Sequence, residues 1–516
     1  MTFDYRPSTD GFLEDAAHYP GGHAAGVVFP RDAADVADAV VSFPAILAIG
    51  AQSSLTGGAT PMGETILATT KMASIVDTTA THVRVQPGVT IQALQEHLAS
   101  SGAWFPPAPT FTGATAGGIV ATNAAGPATF KYGTTRDWVA GLTIVLADGT
   151  ILTLDRGQHV GRGRTLQVPA RSGRVEITVP AYTMPVVPKR SAGYHAAEGM
   201  DLVDLFIGSE GTLGIVTEVT FRILVPAPAT GLALVPCPSE TEGLRLVEAI
   251  GRAARATWRT GDPHGIDIAG IEHIDRRCLE IIREDGVDAR CNVSLPPGTD
   301  TAVLVQLELP AGTPRDEAFD QIAGALDEGA PDGPLVRFCR LLADAGALDA
   351  AEIALPGDRR RMDELIAVRE AVPAGVNQRV GAAKRDVDPR IEKTAADMIA
   401  PAERFAEMTR IYRAGFEARG LDYAIWGHAS DGNVHPNVIP RSYDDVVKGK
   451  EAILEFGREV VRLGGSPLAE HGVGRSPVKQ ALLRQLYGDA GIEEMRAVKR
   501  ALDPEWKLAP GVIFTR

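Results

Sequence analysis

The chain has 516 residues and a formal net charge of -14, with 45% hydrophobic and 22% charged residues. This length predicts two or three domains, each large enough for a hydrophobic core, and the composition is typical of a water-soluble globular protein. The negative charge argues against a general nucleic-acid binder, and no apolar run approaches the roughly 20 residues that a membrane-spanning helix needs.

Residues 1–225 alternate short apolar runs with glycine- and proline-rich turns. The runs predict strands at 45–49, 66–68, 82–86, 142–146 and 175–179, and one amphipathic stretch predicts a helix at 91–101. The two prolines within 226–229 give the best domain boundary. The pattern therefore predicts a first domain of the α+β class.

After residue 226 the pattern changes to strands separated by longer helices. It predicts a strand at 302–309 and helices at 241–257, 316–328, 359–371, 401–419 and 451–463. The sequence therefore predicts a second domain over 226–465, followed by a C-terminal segment at 466–516.

Three loops of the first domain are rich in glycine and small or hydroxyl-bearing residues. They lie at 48–61, 106–126 and 208–216. Successive backbone N–H groups in such loops can bind an anion, and Ser53, Ser54 and Thr56 add hydroxyl donors. No Gly-x-Gly-x-x-Gly motif opens a strand–helix–strand unit. Three such loops in one domain favour a dinucleotide that is bound by a fold other than the Rossmann fold.

The segment at 427–437 predicts a β-hairpin that carries two histidines. Asp431 and Gly432 lie between apolar runs, as in a two-residue hairpin loop, and this register places His428 opposite His435. Directly opposed Cβ atoms lie roughly 4.5–5.5 Å apart. Two imidazoles at this separation can share a metal ion, and Asn437 falls on the same face of the strand.

A third ligand is available downstream, in the segment 469–474. This segment contains Glu470 and His471 between small residues and glycines, which allow close approach of the backbone. The alternative is a hairpin whose histidines only cap a sheet. We favour the metal site because clustered titratable groups mark functional sites.

Several motifs resemble one protein family. They are Lys-Tyr-Gly-Thr-Thr-Arg-Asp at 131–137, Asp-Leu-Phe at 204–206 leading into the loop at 208–214, the hairpin at 427–435, and Glu-His-Gly-Val-Gly at 470–474. Over about 25–516 the chain resembles the FAD-linked D-2-hydroxyacid dehydrogenases and oxidases, which include D-lactate dehydrogenase, D-2-hydroxyglutarate dehydrogenase and the glycolate oxidase FAD subunit. These belong to the vanillyl-alcohol oxidase superfamily with a PCMH-type FAD domain.

The resemblance implies an α+β fold with a PCMH-type FAD-binding domain of two subdomains at 1–225. It implies a substrate or cap domain at 226–465, with an antiparallel sheet and flanking helices, and a segment at 466–516 that returns to the FAD domain. It also implies bound FAD, which we expect to be non-covalent because the loop at 50–58 contains no His or Cys. The implied FAD contacts are Gly50, Gln52, Ser53, Ser54, Leu55, Thr56, Gly57, Gly58, Pro107, Thr110, Gly113, Ala114, Thr115, Gly117, Gly118, Asn123, Glu210, Gly211, Ile215 and Val216.

The implied reaction is oxidation of a D-2-hydroxyacid to the 2-oxoacid. A divalent metal (Zn, Mn or Fe) on His428, His435 and Glu470 would bind the substrate hydroxyl and carboxylate. His471 would be the general base. Arg369 and Lys384 would bind the substrate carboxylate, with Asn437 as a further substrate contact.

Two positions depart from the family pattern. Pro373 replaces a hydroxyl residue that contacts substrate in D-2-hydroxyglutarate dehydrogenases, which weakens that assignment. Ala509 stands where the family has Asn before Pro-Gly, which puts a C-terminal flavin contact in doubt. Arg379, Arg385 and Arg390 are predicted to be solvated surface residues.

Alternative functions remain open within and beyond the family. The substrate could be D-lactate, D-2-hydroxyglutarate or glycolate, and a redox-neutral flavin transferase resembling alkylglycerone-phosphate synthase shares the fold. A non-catalytic electron-transfer subunit would have no reason to keep metal ligands beside a base, and an iron oxygenase would leave the FAD loops unexplained. We expect an electron acceptor (a quinone, a cytochrome or an electron-transfer flavoprotein) and leave a homodimer open.

The predicted location is the cytoplasm, with peripheral attachment to the inner membrane left open. The four cysteines have no metal-binding spacing and are typical of reduced thiols. The N-terminus lacks the charged and apolar regions of a signal peptide.

Overall fold

The apolar runs form the predicted strands in the computed structural model, which describes residues 3–171 and 173–516. The chain divides into two units. The first comprises the chain up to Gly126, Tyr132–Val225 and Ser466–Arg516, and the second comprises Pro127–Lys131 and Pro226–Gly465. Pro127–Lys131 was placed in the first domain by the sequence, but Lys131 Nζ lies 2.6 Å from carboxylates of both Asp267 and Glu308 in the second unit.

The described residues of the first unit form three sheets. Its elements up to Val225 are β1 (Asp4–Arg6), β2 (Gly26–Phe29), α1 (Ala33–Ser42), β3 (Ile46–Ile49), β4 (Thr65–Ala68), β5 (Ile75–Thr78), β6 (His82–Val85), α2 (Ile91–Ala99), α3 (Ala116–Thr122), α4 (Thr129–Tyr132, at the boundary), α5 (Thr135–Trp138), β7 (Val139–Val145), β8 (Ile151–Asp155), β9 (Thr165–Ala170), β10 (Gly173–Thr178), α6 (Leu202–Phe206) and β11 (Ile215–Arg222).

The strand orders define two subdomain sheets and a hairpin. One sheet has the order β1-β2-β4-β3, in which β2, β4 and β3 are parallel. The second has the antiparallel order β5-β6-β11-β7-β8, and β9 pairs with β10. The cores are built from residues that alternate with exposed positions, as in β8, where Leu152 and Leu154 are buried between exposed neighbours.

The second unit is built on one antiparallel sheet of order β15-β12-β14-β13-β18-β19-β16, with β17 also paired to β19. Its elements are β12 (Ala229–Cys237), α7 (Glu240–Thr260), β13 (Ile268–Ile274), α8 (Arg276–Glu284), α9 (Val287–Arg290), β14 (Thr301–Leu309), α10 (Arg315–Ala323), α11 (Pro334–Asp344), β15 (Glu352–Ala354), α12 (Arg359–Asp386), β16 (Thr394–Ala395), β17 (Met398–Ile399), α13 (Phe405–Glu417), β18 (Tyr423–His428), β19 (Asn433–Val438) and α14 (Tyr443–Arg462).

Helix α12 runs 15 residues beyond the predicted end at residue 371 and passes through Pro373. A proline inside a helix removes one hydrogen bond to the residue four positions earlier. Val368, Val372, Val376 and Val380 recur every four residues and are buried in one core cluster. Their burial on both sides of Pro373 outweighs the break that the proline alone would predict.

Other helix ends also differ from the prediction. The helix predicted at 316–328 ends at Ala323, and the one predicted at 451–463 begins at Tyr443, where Ser442 accepts a hydrogen bond from the backbone of Asp445. A helix that the sequence did not predict, α15 (Pro477–Leu502), follows in the first unit. Within the described residues, no helix is long and apolar enough to cross a membrane.

Candidate functional site: a cavity in the first unit and a charged cluster in the second

The three predicted loops converge on one cavity in the first unit. Its wall contains these predicted FAD contacts: Gly50, Gln52, Ser53, Ser54, Leu55, Gly58, Thr110, Ala114, Thr115, Gly117, Gly118, Glu210, Gly211, Ile215 and Val216. Glu470 and His471 line the same cavity. Loops that are distant in sequence therefore form a single cleft, and the predicted base is part of its wall.

Close backbone approach shapes this cavity. A Cβ atom on Gly50 would lie 2.1 Å from Thr115 Oγ1, and one on Gly117 would lie 2.7 Å from Pro87 Cβ. These glycines are thus required by space rather than by flexibility. Thr115 Oγ1 is buried at the wall and has no hydrogen-bond partner in the described part of the chain. A buried hydroxyl of this kind fits a polar ligand in the cavity.

Five of the predicted FAD contacts do not line the cavity: Thr56, Gly57, Pro107, Gly113 and Asn123. Asn123 ends helix α3 in a left-handed conformation, and its side-chain oxygen accepts a hydrogen bond from the backbone of Arg136. Thr56 Oγ1 lies 3.1 Å from Ser54 Oγ. The local contacts of these two residues hold the loops in shape.

Glu210, one of the predicted FAD contacts in the cavity wall, also holds the Glu-His-Gly-Val-Gly segment. Its carboxylate accepts hydrogen bonds of 2.8 Å from the backbone N–H groups of Val473 and Gly474. Burial raises the pKa of Glu210 to about 7, although the two N–H donors act to lower it. The side chain therefore ties the loop at 208–216 to the segment that carries His471.

The segment around His471 also packs against the first FAD loop. Gly474 has a φ of +57°, and a Cβ atom there would lie 2.2 Å from Thr56 Oγ1. The N–H groups of Arg475 and Ser476 both donate to the carbonyl of Thr56, at 3.0 and 3.1 Å. The position of His471 is thereby linked to the loop at 48–61, the first of the three that were predicted to bind the dinucleotide.

Glu470 is buried and forms an ion pair with Lys189, a lysine that is fully buried. The sequence did not identify Lys189, which lies in an irregular segment between β10 and α6. A buried lysine needs a charged partner, but the motif pattern gave no indication of which one.

The C-terminal departure from the family pattern is accommodated by backbone contacts. Ala509 adopts a left-handed conformation with a φ of 43°, which asparagine tolerates better than alanine. Its N–H donates to the carbonyl of Ile46, and the carbonyl of Pro510 accepts from Arg475. These contacts do not require an asparagine side chain.

In the second unit, the His hairpin has a register two residues from the predicted one. Its turn is a 3-10 helix, Ala429–Asp431, followed by Gly432, so that His428 pairs with Asn433 and Trp426 with His435. The prediction that His428 lies directly opposite His435 was therefore wrong. A shift of two residues keeps each side chain on its original face, and the two imidazole centroids lie 5.7 Å apart.

Both histidines are buried and contact carboxylates. His428 Nδ1 lies 2.6 Å from Glu272 Oε1, and His435 Nδ1 lies 3.3 Å from Asp397 Oδ1. Metal-binding histidines usually have such a partner on the nitrogen that does not bind the metal. The donor set of this face therefore fits a divalent metal. Glu470, the third predicted ligand, belongs to the first unit, and its place in the ligand set stays a prediction from the sequence.

Arg369 and Lys384 do not converge in the second unit. Both lie in helix α12, and 15 residues at a rise of 1.5 Å per residue separate them by roughly 22 Å along the axis. Arg369 contacts Glu272 at 3.2 Å and Glu370 at 2.8 Å, whereas Lys384 is exposed in the last turn. The two cations cannot hold one small carboxylate in this arrangement. Pro373 has no backbone N–H, so it cannot donate the helical hydrogen bond to the carbonyl of Arg369 four residues earlier.

Asn437 follows His435 on strand β19 and is buried. Its amide nitrogen donates to the carbonyl of His435 at 2.8 Å. Its side-chain oxygen has no hydrogen-bond partner among the described residues. The prediction that Asn437 contacts substrate stays open.

Glu272 and Asp397 were missed by the sequence-based prediction. Glu272 lies in β13, in which every residue is buried. A charged residue within a run that reads as a fully buried strand is the signal that could have identified it, because an acidic side chain is buried only with a partner. Asp397 lies between the short strands β16 and β17, where no comparable signal exists.

Two family descriptions match the chain. Residues 24–155 match "FAD binding domain", and residues 243–513 match "FAD linked oxidases, C-terminal domain". The second match covers more than half of the sequence. The chain belongs to the FAD-linked oxidase family. It is thus an FAD-dependent oxidoreductase, as the three loops and the Glu-His motif predicted.

Curated relatives cover most of the chain. It is 28% identical over 475 residues to the glycolate oxidase subunit GlcD of Bacillus subtilis, and the matched region covers 90% of this chain and 83% of the relative. It is 28% identical to the D-lactate dehydrogenase of Archaeoglobus fulgidus, over 90% and 85% of the two chains. The identity to the D-2-hydroxyglutarate dehydrogenase of Xanthomonas citri pv. viticola is also 28%, over 91% and 84%.

Solved structures confirm the predicted fold class. An alkyldihydroxyacetonephosphate synthase superposes with a TM-score of 0.57 at 14% identity, covering 96% of this chain and 77% of the other. The 4-ethylphenol oxidase from Gulosibacter chungangensis superposes with a TM-score of 0.63 at 16% identity, covering 99% and 94%. At these identities the similarity shows the fold alone.

Proposed function

We propose that the protein oxidises a D-2-hydroxyacid of the D-lactate type to the 2-oxoacid, with non-covalently bound FAD. The observation that carries this proposal is the presence of His471 in the wall of the cavity formed by the three FAD loops. The names of the relatives support the substrate class, because they include D-lactate, D-2-hydroxyglutarate and glycolate enzymes.

The cavity wall provides the contacts for FAD. The loop around Gly50, Ser53 and Ser54 offers backbone N–H and hydroxyl donors to the pyrophosphate, and Thr115 offers its buried hydroxyl. Bound FAD would supply the acceptor for the hydride that leaves the substrate Cα. Non-covalent binding is expected because all four cysteines lie in 226–465 and the loop at 50–58 has no histidine.

His471 acts as the general base in this proposal and takes the proton from the substrate hydroxyl. The segment that carries it is fixed by the Glu210 carboxylate and by the close approach of Gly474 to Thr56. A base must be held within hydrogen-bond reach of its proton. These contacts favour His471 because they restrict the backbone on its C-terminal side.

A divalent metal is proposed on His428 and His435, and Glu470 is kept as the third ligand on the sequence pattern. Such a metal would lower the pKa of the substrate hydroxyl. Two imidazoles and one carboxylate suit Zn, Mn or Fe. The contacts of His428 with Glu272 and of His435 with Asp397 support the proposal from within the second unit.

Arg369 is proposed as the anchor of the substrate carboxylate. Its side chain is only 11% exposed, and an Arg can bind a carboxylate with two parallel hydrogen bonds. We omit Lys384 from this role because it lies about 22 Å further along the same helix. A single carboxylate anchor, with Pro373 in place of a hydroxyl residue, favours a monocarboxylate such as D-lactate over D-2-hydroxyglutarate.

The proposed partners are the hydroxyacid substrate and an external electron acceptor (a quinone, a cytochrome or an electron-transfer flavoprotein). The acceptor and a cytoplasmic location are inferences from family and composition.

Anaerobic flavin bleaching tests the proposed function. Purified FAD-loaded protein is mixed, without oxygen, with D-lactate, L-lactate, glycolate and D-2-hydroxyglutarate. We expect D-lactate to bleach the flavin fastest and L-lactate to be without effect. Preference for D-2-hydroxyglutarate or glycolate would correct the substrate, whereas no bleaching by any hydroxyacid would favour the redox-neutral transferase. Acid precipitation of the same sample should release all flavin into solution.

A further inference from the structure

The buried carboxylate of Glu272 contacts both His428 and Arg369. It lies in β13, directly opposite His428 of β18 in the sheet register. Because directly paired residues share a face of the sheet, the backbone pairing itself brings the carboxylate to the imidazole. The contact thus follows from the register of two central strands and does not depend on a flexible loop.

Each carboxylate oxygen of Glu272 serves a different residue. Oε1 accepts from His428 Nδ1 at 2.6 Å. Oε2 accepts from Arg369 Nε and Nη2 at 3.3 and 3.2 Å. An ionised carboxylate only accepts hydrogen bonds, so the proton of a neutral His428 resides on Nδ1. In this tautomer Nε2 carries the lone pair, which is the form in which a neutral imidazole binds a metal.

We propose that Glu272 is a positioning residue that sets the tautomer of His428 and the orientation of Arg369 at the same time. The proposal rests on the proposed function, in which His428 binds the metal and Arg369 binds the substrate carboxylate. One carboxylate thereby couples the metal ligand to the substrate anchor, and its loss affects both metal affinity and substrate affinity.

Asp397 has a looser relation to the second histidine. Its Oδ1 lies 3.3 Å from His435 Nδ1 and also accepts from the Asn433 amide at 3.0 Å. It has no described contact with Arg369. The double role is therefore specific to Glu272 among the two carboxylates, and a change at Glu272 alone should alter metal and substrate binding together.

The test uses Glu272→Gln, which keeps the side-chain volume and removes the charge. The probe is Zn²⁺, titrated into metal-free, FAD-loaded full-length protein against a competing chelator. Loss of an outer-shell partner typically lowers metal affinity by roughly 10–100-fold, and we expect a reduction in this range. The KM for the hydroxyacid should rise as well, with a smaller change in kcat, because Arg369 loses its orienting partner.

Glu308→Gln is the matched control. Glu308 is equally buried, lies in the adjacent strand β14, and pairs with Lys131 at 2.6 Å. The Glu308→Gln substitution is expected to reduce the stability of the sheet. It should leave the Zn²⁺ affinity and the KM close to those of the unchanged protein. An equal loss of Zn²⁺ affinity in both variants would overturn the proposal, since the effect would then come from the sheet in general.

His428→Ala separates the positioning role from any direct role. In that background, Glu272→Gln should cause no further loss of Zn²⁺ affinity, because the residue through which Glu272 acts is absent. A further loss of the same size would overturn the proposal. Suppose that the unchanged protein oxidises a hydroxyacid and binds Zn²⁺, and that Glu272→Gln binds Zn²⁺ equally well. The role of Glu272 is then refuted, while the proposed function stands. If the unchanged protein binds no divalent metal, the metal part of the proposed function fails, and the inference fails with it.

Discussion

The predicted sites of the two units consist of different kinds of chemical groups. In the first, the cavity wall consists mainly of backbone and small side chains, and its shape depends on glycines such as Gly50 and Gly474 that approach other chain segments closely. In the second, the predicted site consists of charged and imidazole side chains on neighbouring strands and a helix, among them His428, Glu272 and Arg369.

The first site therefore depends on the space between closely packed chain segments. The second depends on charges that compensate one another. Adding one methyl group should damage the first unit most, because a protein interior has little free volume. Removing one charge or one imidazole should damage the second most, because its buried partners then lose compensation.

Removal of the metal should have the largest effect. Chelation, or His428→Ala, is expected to abolish hydroxyacid turnover while FAD stays bound, because the histidines and the FAD loops belong to different units. Turnover, metal content and flavin absorbance would be measured on the same sample. Full activity with stoichiometric metal in His428→Ala would refute the hairpin site.

Replacement of His471 should reduce turnover without removing metal. A general base contributes typically 10²–10⁴-fold to rate, so kcat of His471→Ala should fall by about this factor. If His471→Asn loses metal instead, the roles of Glu470 and His471 have been exchanged.

Gly474→Ala should weaken FAD binding through steric pressure. The new Cβ would lie 2.2 Å from Thr56 Oγ1 at a φ of +57°, and overpacking typically costs about 1–3 kcal/mol. Gly199→Ala is the control, since Gly199 has a φ of +68° and no atom within 4 Å of the added Cβ. Thermal unfolding and the Kd for FAD would be measured. Equal effects of both substitutions would show that conformation alone, and not the contact with Thr56, is responsible.

Features formed by residues that are close together in the sequence were predicted well. The three FAD loops were identified because their small and hydroxyl-bearing residues indicate close backbone approach and polar contacts, and most of their residues line one cavity. The strands at 45–49 and 302–309 were confirmed with ends within one residue. The shared face of His428 and His435 was correct despite the wrong register, because side chains on a strand alternate with a period of two.

Features that depend on distant contacts could not be predicted. The extension of α12 through Pro373 depends on valines buried in a core that the local sequence does not reveal. The contact of Glu272 with His428 depends on the register of β13 and β18. Glu210 was predicted as an FAD contact from its loop, but the motif did not indicate its hydrogen bonds to residues more than 260 positions away.

The last prediction concerns Glu210 and the pH dependence of stability. Its carboxyl group has an ordinary pKa of 4.5, which burial raises to about 7 in the folded protein. Between these two values the folded state holds a proton that the unfolded chain has released. Stability should therefore fall as the pH rises from about 4.5 to about 7, with a slope of at most about 1.4 kcal/mol per pH unit from this group.

Glu210→Gln should remove this contribution. The Gln side chain resembles the protonated acid, and its oxygen can still accept from the Val473 or Gly474 N–H, so the segment that carries His471 keeps one of its contacts. Denaturant unfolding at several pH values would be compared for the unchanged protein, Glu210→Gln, and Glu96→Gln, whose side chain is exposed on α2. The curve of Glu210→Gln should be flatter between about pH 4.5 and 7, and that of Glu96→Gln should follow the unchanged protein. Identical slopes in all three would mean that Glu210 is not held in the buried position from which it fixes the cavity wall, and the link between the loop at 208–216 and His471 would then have to be abandoned.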